Sequence, residues 1–268
     1  MLAMTRRQKG FSLIELAIVL FIVGLLLGGL LNPLATSVEA EQRQTTMDKL
    51  DEIKDALAGY AIINGRLPCP DCPDNTIGTC NAGGIVNDGI EDRSGSTPTQ
   101  VCRTDVGNLP WAELGVVGHD EWENYYTYQV SPNFSRESNT SACGTATAGM
   151  SFELCTSGNI DIRDTYNNPY AGTPNIADNV IAVVVSHGKN FFSSAQQDQE
   201  VENYGRNPVS INTGSTILSS YTASNYDANV FIKREYSLSN NNVTYDDMLV
   251  WLSPNTIMNK MVSAGKLP

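Results

Sequence analysis

A single carboxylate, Glu15, stands inside an otherwise uncharged run from Phe11 to Leu34. An acid within an apolar segment is costly unless it is paired, protonated or put to use. Other groups could also do chemistry. Cys69-Pro70-Asp71-Cys72 has the spacing of a zinc or redox motif. Zinc would need Cys80 and Cys102 to complete four ligands, and no second such pair follows. Ser186-His187 sets a nucleophile type beside a base type. A triad, however, needs convergence in space with an acid, so the pair reads as a polar turn after a strand. Asp246-Asp247 could hold metal or act as an acid–base pair. With no partner motif, it reads as a solvated strand edge. Asn87-Asp88-Gly89-Ile90-Glu91-Asp92 offers oxygens for calcium but lacks the alternating ligands of an EF-hand loop, and it reads as an acidic turn. No phosphate loop, HExxH or Gly-x-Ser-x-Gly occurs. The expectation is no enzyme and no cofactor, with calcium left open.

The elements that must position these groups begin with the apolar run. Its roughly 24 residues would span about 36 Å as a helix, enough for a hydrocarbon core of about 30 Å. Arg6, Arg7 and Lys9 precede it with no acid among them, which holds the N-terminus on the cytoplasmic side and exports the rest. A cleaved signal peptide would be shorter and end in a small-residue site. Gly24, Gly28 and Gly29 suit close helix packing, and Pro33 is expected to kink or loosen the helix. From Ala35 the chain becomes charged but keeps a helical period at Met47, Leu50, Ile53, Leu57 and Tyr60. Asn64-Gly65 supplies a stop. The pattern predicts one helix from residue 11 to 64, about 80 Å long if straight.

Residues 66–108, rich in Gly, Pro, Asn, Asp and Cys, predict irregular loops. Strands are predicted over 126–130, 151–155, 179–186, 229–236 and 243–252. Val180 to Val185 reads as a central strand, while the alternation through Val230–Glu235 suits an edge-like or half-buried strand. Residues 188–226 read as a surface excursion. Ser253-Pro254 opens a short C-terminal helix with Ile257, Met258, Met261 and Val262 on its apolar face.

The chain has 268 residues and a formal charge of −12. Such a surface repels nucleic acid and anionic lipid heads. The six cysteines all follow residue 68. An even count in an exported domain reads as disulfides. Cys143 with Cys155, flanking a plausible hairpin, is the favoured pair, and the pairing among Cys69, Cys72, Cys80 and Cys102 stays open.

The join of Arg6-Arg7-Gln8-Lys9-Gly10 to Phe11-Ser12-Leu13-Ile14-Glu15-Leu16 resembles the N-terminus of type IV pilins and type II secretion pseudopilins. The resemblance implies cleavage between Gly10 and Phe11 by a prepilin peptidase and methylation of Phe11. Cleavage there would leave 14 basic against 29 acidic residues, about −15. Glu15 becomes the fifth mature residue, expected to pair with the Phe11 amine of a neighbour in the apolar filament core. Asp120-Glu121-Trp122-Glu123-Asn124-Tyr125-Tyr126-Thr127-Tyr128 is similar to the Asp-Pro-Trp-Gly-Asn-x-Tyr-x-Tyr segment of major pseudopilins, with glutamates replacing the proline and glycine.

The resulting expectation is an α+β pilin-like fold: a long N-terminal helix packed on an antiparallel sheet with disulfide-stapled loops. Residues 1–10 are a leader, 11–34 a transmembrane and filament-core helix, 35–65 its amphipathic continuation, and 66–268 a periplasmic or extracellular domain. The implied function is a minor pilin or pseudopilin anchored once in a bacterial inner membrane and later assembled into a filament or shown at the surface. Its partners would be other pilin-like subunits, the prepilin peptidase and the inner-membrane assembly platform, not nucleic acid. The competing expectation is a displayed adhesin, with recognition in 66–108 or 188–226.

Overall fold

The computed structural model describes residues 12–73, 80, 83–137, 149–164, 175–189, 203, 229–239 and 242–267; the side chains of 26–35, 238–239 and 242–244 lie outside that description. The long period of the sequence is realised as α1, Leu13–Asn64, which continues through Pro33. It ends where expected. Gly65 takes a left-handed φ of 70° and its N–H closes on the Ala61 carbonyl at 2.8 Å. The chain divides into two compact units, Met1–Gln44 and Thr45–Pro268.

In the second unit the amphipathic part of α1 buries Leu50, Ile53, Leu57, Ala58 and Ala61. Against that stripe lies a four-stranded antiparallel sheet of order β11-β7-β4-β3. Its strands are β3 (Val106–Asn108), β4 (Thr127–Val130), β7 (Ala182–Ser186) and β11 (Met248–Leu252). Tyr126, Tyr128, Val130, Ala182, Val184 and Val250 join the helix residues in one core. A second sheet, β6-β5-β8, is formed by β5 (Ile160–Arg163), β6 (Asn175–Val180) and β8 (Val230–Ile232). Here β5 pairs antiparallel with β6 but parallel with β8. Val183, Val185 and Leu249 of the first sheet cluster with Ile160, Ile162, Val180 and Phe231 of the second. Strand β7 therefore points alternate side chains into two cores, which is why its sequence is a continuous apolar run rather than an alternating one.

Two predicted strands are each divided in two. The 179–186 run breaks at Ile181, where the chain leaves one sheet for the other. The Ile181 N–H bonds Leu252 and its carbonyl accepts from Ser131. The 243–252 run breaks at Asp246-Asp247, between β10 (Asn242–Tyr245) and β11. The predicted strand 151–155 is instead a turn, closed by the Thr156 N–H on the Glu153 carbonyl at 2.9 Å. The predicted 229–236 strand shortens to the three residues of β8, an edge strand whose side chains are all buried. The C-terminal helix α4, Pro254–Ser263, starts as expected. Ser253 Oγ accepts from the Thr256 N–H, and Ile257, Met258 and Met261 enter the main core.

The loops between α1 and the sheet are stapled by Cys69–Cys102 and Cys72–Cys80. This settles the pairing the sequence leaves open among those four. Cys155 is disulfide-bonded; Cys143 lies outside the described residues, so the expected Cys143–Cys155 pair does too. Short elements complete the unit: α2 (Trp111–Leu114), α3 (Pro132–Ser135), the ribbon of β1 (Arg93–Ser94) with β2 (Val101–Cys102), and β9 (Ser237–Ser239) beside β10.

Candidate functional site

The start of α1 is built by Ser12 and Glu15. The first N–H groups of a helix lack intrahelical partners. Here the Ser12 N–H donates to Glu15 Oε2 at 2.9 Å, and the Ile14 N–H donates to Ser12 Oγ at 3.3 Å. The first helical bond runs from the Leu16 N–H to the Ser12 carbonyl at 3.2 Å. Serine followed three residues later by glutamate is the pattern of a reciprocal cap. Every described side chain from Ser12 to Leu25 is exposed, including Leu13, Phe21 and Leu25 at 86, 68 and 63%. An apolar surface of this extent calls for lipid or protein to cover it. Among the described residues no helix is long and apolar enough to cross a membrane. The expected span runs on through 26–34, whose side chains lie outside that description. Gly10 and Phe11, the expected cleavage pair, are also outside it.

Residues 5–31 match the family model of the prokaryotic N-terminal methylation motif. The chain has a pilin-like N-terminus. Glu15, Ser12 and the first turns of α1 fall within the matched residues, and this prepilin-type motif belongs to structural proteins rather than enzymes. No curated protein and no solved structure matches the chain. The pilin-like assignment therefore rests on these N-terminal residues.

The Ser186-His187 pair, which the sequence reads as a polar turn, and Asp246-Asp247, which it reads as a solvated strand edge, are both buried. His187, Asp246 and Asp247 are 0, 1 and 4% exposed. His187 Nε2 is 2.8 Å from Thr127 Oγ1, and its Nδ1 lies 3.7 Å from Asp247 Oδ1. Asp247 also accepts from Asn203 Nδ2 at 2.8 Å, while Asp246 accepts the Lys189 N–H at 2.8 Å. The order hydroxyl–imidazole–carboxylate is that of a hydrolytic relay. Yet Thr127 is itself 1% exposed, so its hydroxyl meets no substrate. The arrangement instead joins β4, β7 and the β10–β11 turn. Burial holds His187 neutral, lowering it to about 4, and raises Asp247 well above the usual carboxylate range.

The Asp120–Tyr128 segment packs as a structural corner. Asp120 Oδ1 accepts from the Trp122 and Asn124 N–H groups at 2.9 Å each, and Oδ2 accepts from Ser186 Oγ at 2.7 Å. Burial raises Asp120 despite these donors. Glu123 stands at φ 65°, the left-handed conformation that a glycine adopts freely. This is the position at which the similar pseudopilin segment has its glycine.

The 87–92 turn, the calcium candidate, is tied down by backbone donors. Asp92 accepts from the Cys72 N–H at 2.8 Å and the Ile85 N–H at 3.2 Å. Asp71 Oδ2 accepts from the Gly89 N–H at 2.9 Å. Asp71 is 0% exposed, and burial, with Asp88 and Asp92 nearby, raises it to about 7. Burial alone would raise Glu91 too, but the Arg66 guanidinium, gripping both of its oxygens, overrides that and holds it low. No group of three His, Cys, Asp or Glu side chains able to hold a metal occurs among the described residues.

Proposed function

We infer that the protein is a structural subunit, a minor pilin or pseudopilin, of a type IV pilus or type II secretion filament. The observation that carries this reading is the methylation motif at 5–31, joined to a helix whose described first turns bury nothing. In this reading a prepilin peptidase cuts between Gly10 and Phe11 and Phe11 is methylated. The subunit waits in the inner membrane with residues 11–34 in lipid and its sheet domain in the periplasm. It then moves to the filament through the assembly platform. The new Phe11 amine of one subunit meets the Glu15 carboxylate of the next. In an apolar filament core either charge left alone is heavily penalised, so the pair sets the stagger between subunits more than it adds net stability.

The acidic balance supports protein rather than nucleic-acid partners. The loss of three cations with the leader deepens it. The experiment is Glu15→Ala in the native cell. The variant is expected to be cleaved normally and to enter filaments poorly. Wild-type incorporation would contradict the pairing.

A further inference from the structure

We propose that Ser12 is a positioning residue for Glu15: the two form a reciprocal cap that closes α1 and aims the Glu15 carboxylate back at the processed end of the chain. The inference rests on the assembly reading for its purpose, but its geometry stands without it. Side chains on a helix lean toward its N-terminus, and Glu15 leans far enough for Oε2 to accept the Ser12 N–H at 2.9 Å. Ser12 answers by accepting the Ile14 N–H on Oγ at 3.3 Å. Two backbone donors that an apolar environment would penalise are thereby satisfied inside the chain.

Glu15 then has two separable tasks. As a hydrogen-bond acceptor it closes the helix of its own subunit. As a charge it is offered to a neighbour. The cap removes the rotamer freedom that an exposed glutamate would otherwise lose only on assembly. Ser12 touches no partner in this account and acts only through Glu15.

The two tasks respond differently to near-isosteric changes. Glutamine at 15 keeps an acceptor and loses the charge, whereas alanine loses both. Threonine at 12 keeps the hydroxyl, whereas valine has the same shape without it. Amide exchange is read by NMR on the full uncleaved chain in detergent micelles, so the result does not depend on processing. The Ser12 amide is expected to exchange at the wild-type rate in Glu15→Gln and roughly fivefold faster in Glu15→Ala, the factor of a typical N-cap. The Ile14 amide should behave likewise in Ser12→Thr and Ser12→Val. Equal exchange within each pair would overturn the cap. In cells, Ser12→Thr is expected to enter filaments better than Ser12→Val, and equal entry would overturn the positioning role. Glu15→Gln separates the two claims. Normal entry of that variant would remove the charge pairing while leaving the exchange result, and so the cap, intact.

Discussion

Asp71→Asn should change how stability depends on pH. Asp71 is fully buried in the stapled loop, with one oxygen on the Gly89 N–H and the other, Oδ1, without a hydrogen bond among the described residues. Its carboxyl is raised from 3.8 to about 7, first by burial and then by Asp88 and Asp92. A raised carboxyl keeps its proton in the folded state after the unfolded chain has lost it. Folding is therefore favoured most at low pH, and this contribution is lost as pH climbs from about 4 through about 7. At 1.36 kcal/mol per pKa unit the ceiling is ~4 kcal/mol, and relaxation around the ionised group reduces it to ~2 kcal/mol. Asparagine keeps the acceptor for Gly89 and cannot ionise. The assay is urea denaturation of the oxidised full chain at pH 5 and pH 8. The stability of Asp71→Asn relative to wild type is expected to rise by ~2 kcal/mol between the two. A relative stability that does not change with pH would show that Asp71 ionises freely in the fold, and the burial argument would fail.

Three further outcomes follow from the same physics. Glu123→Gly should stabilise the fold by about 1 kcal/mol, read as a higher urea midpoint at unchanged slope, because Glu123 occupies φ 65° at a left-handed cost; a lower midpoint would contradict this. His187, lowered to about 4 by burial, should stay neutral in an imidazole NMR titration well below pH 6.5, and its contribution to stability should be lost as pH falls from there toward 4, opposite in sign to Asp71. A midpoint near 6.5 would mean the network is open to water. Finally, calcium or a chelator should leave the melting temperature unchanged, since the Glu91 and Asp92 carboxylates of the 87–92 turn are engaged by protein donors. A clear rise with calcium would refute that.

The parts of the fold legible in the sequence were those set by local chemistry. The three- and four-residue steps from Met47 to Tyr60, the Asn64-Gly65 stop and the Ser253-Pro254 start all produced the elements expected of them. What failed depended on distant partners. An apolar run buried on both faces carries no alternation to mark where it changes sheets, so the break at Ile181 was hidden. His187, Asp246 and Asp247 looked like solvent-facing polar residues because their partners Thr127 and Asn203 are far along the chain. The disulfides were open for the same reason: neighbours in sequence, Cys69 and Cys72, turned out to staple different loops. At the N-terminus, the serine–glutamate spacing that makes the cap was in plain view.

The central claim is tested most directly by the intact mass and N-terminal sequence of the protein taken from its native membrane. The account expects a chain beginning at N-methyl-Phe11 with its six cysteines oxidised. A chain that still begins at Met1, or that begins beyond residue 35, would contradict it.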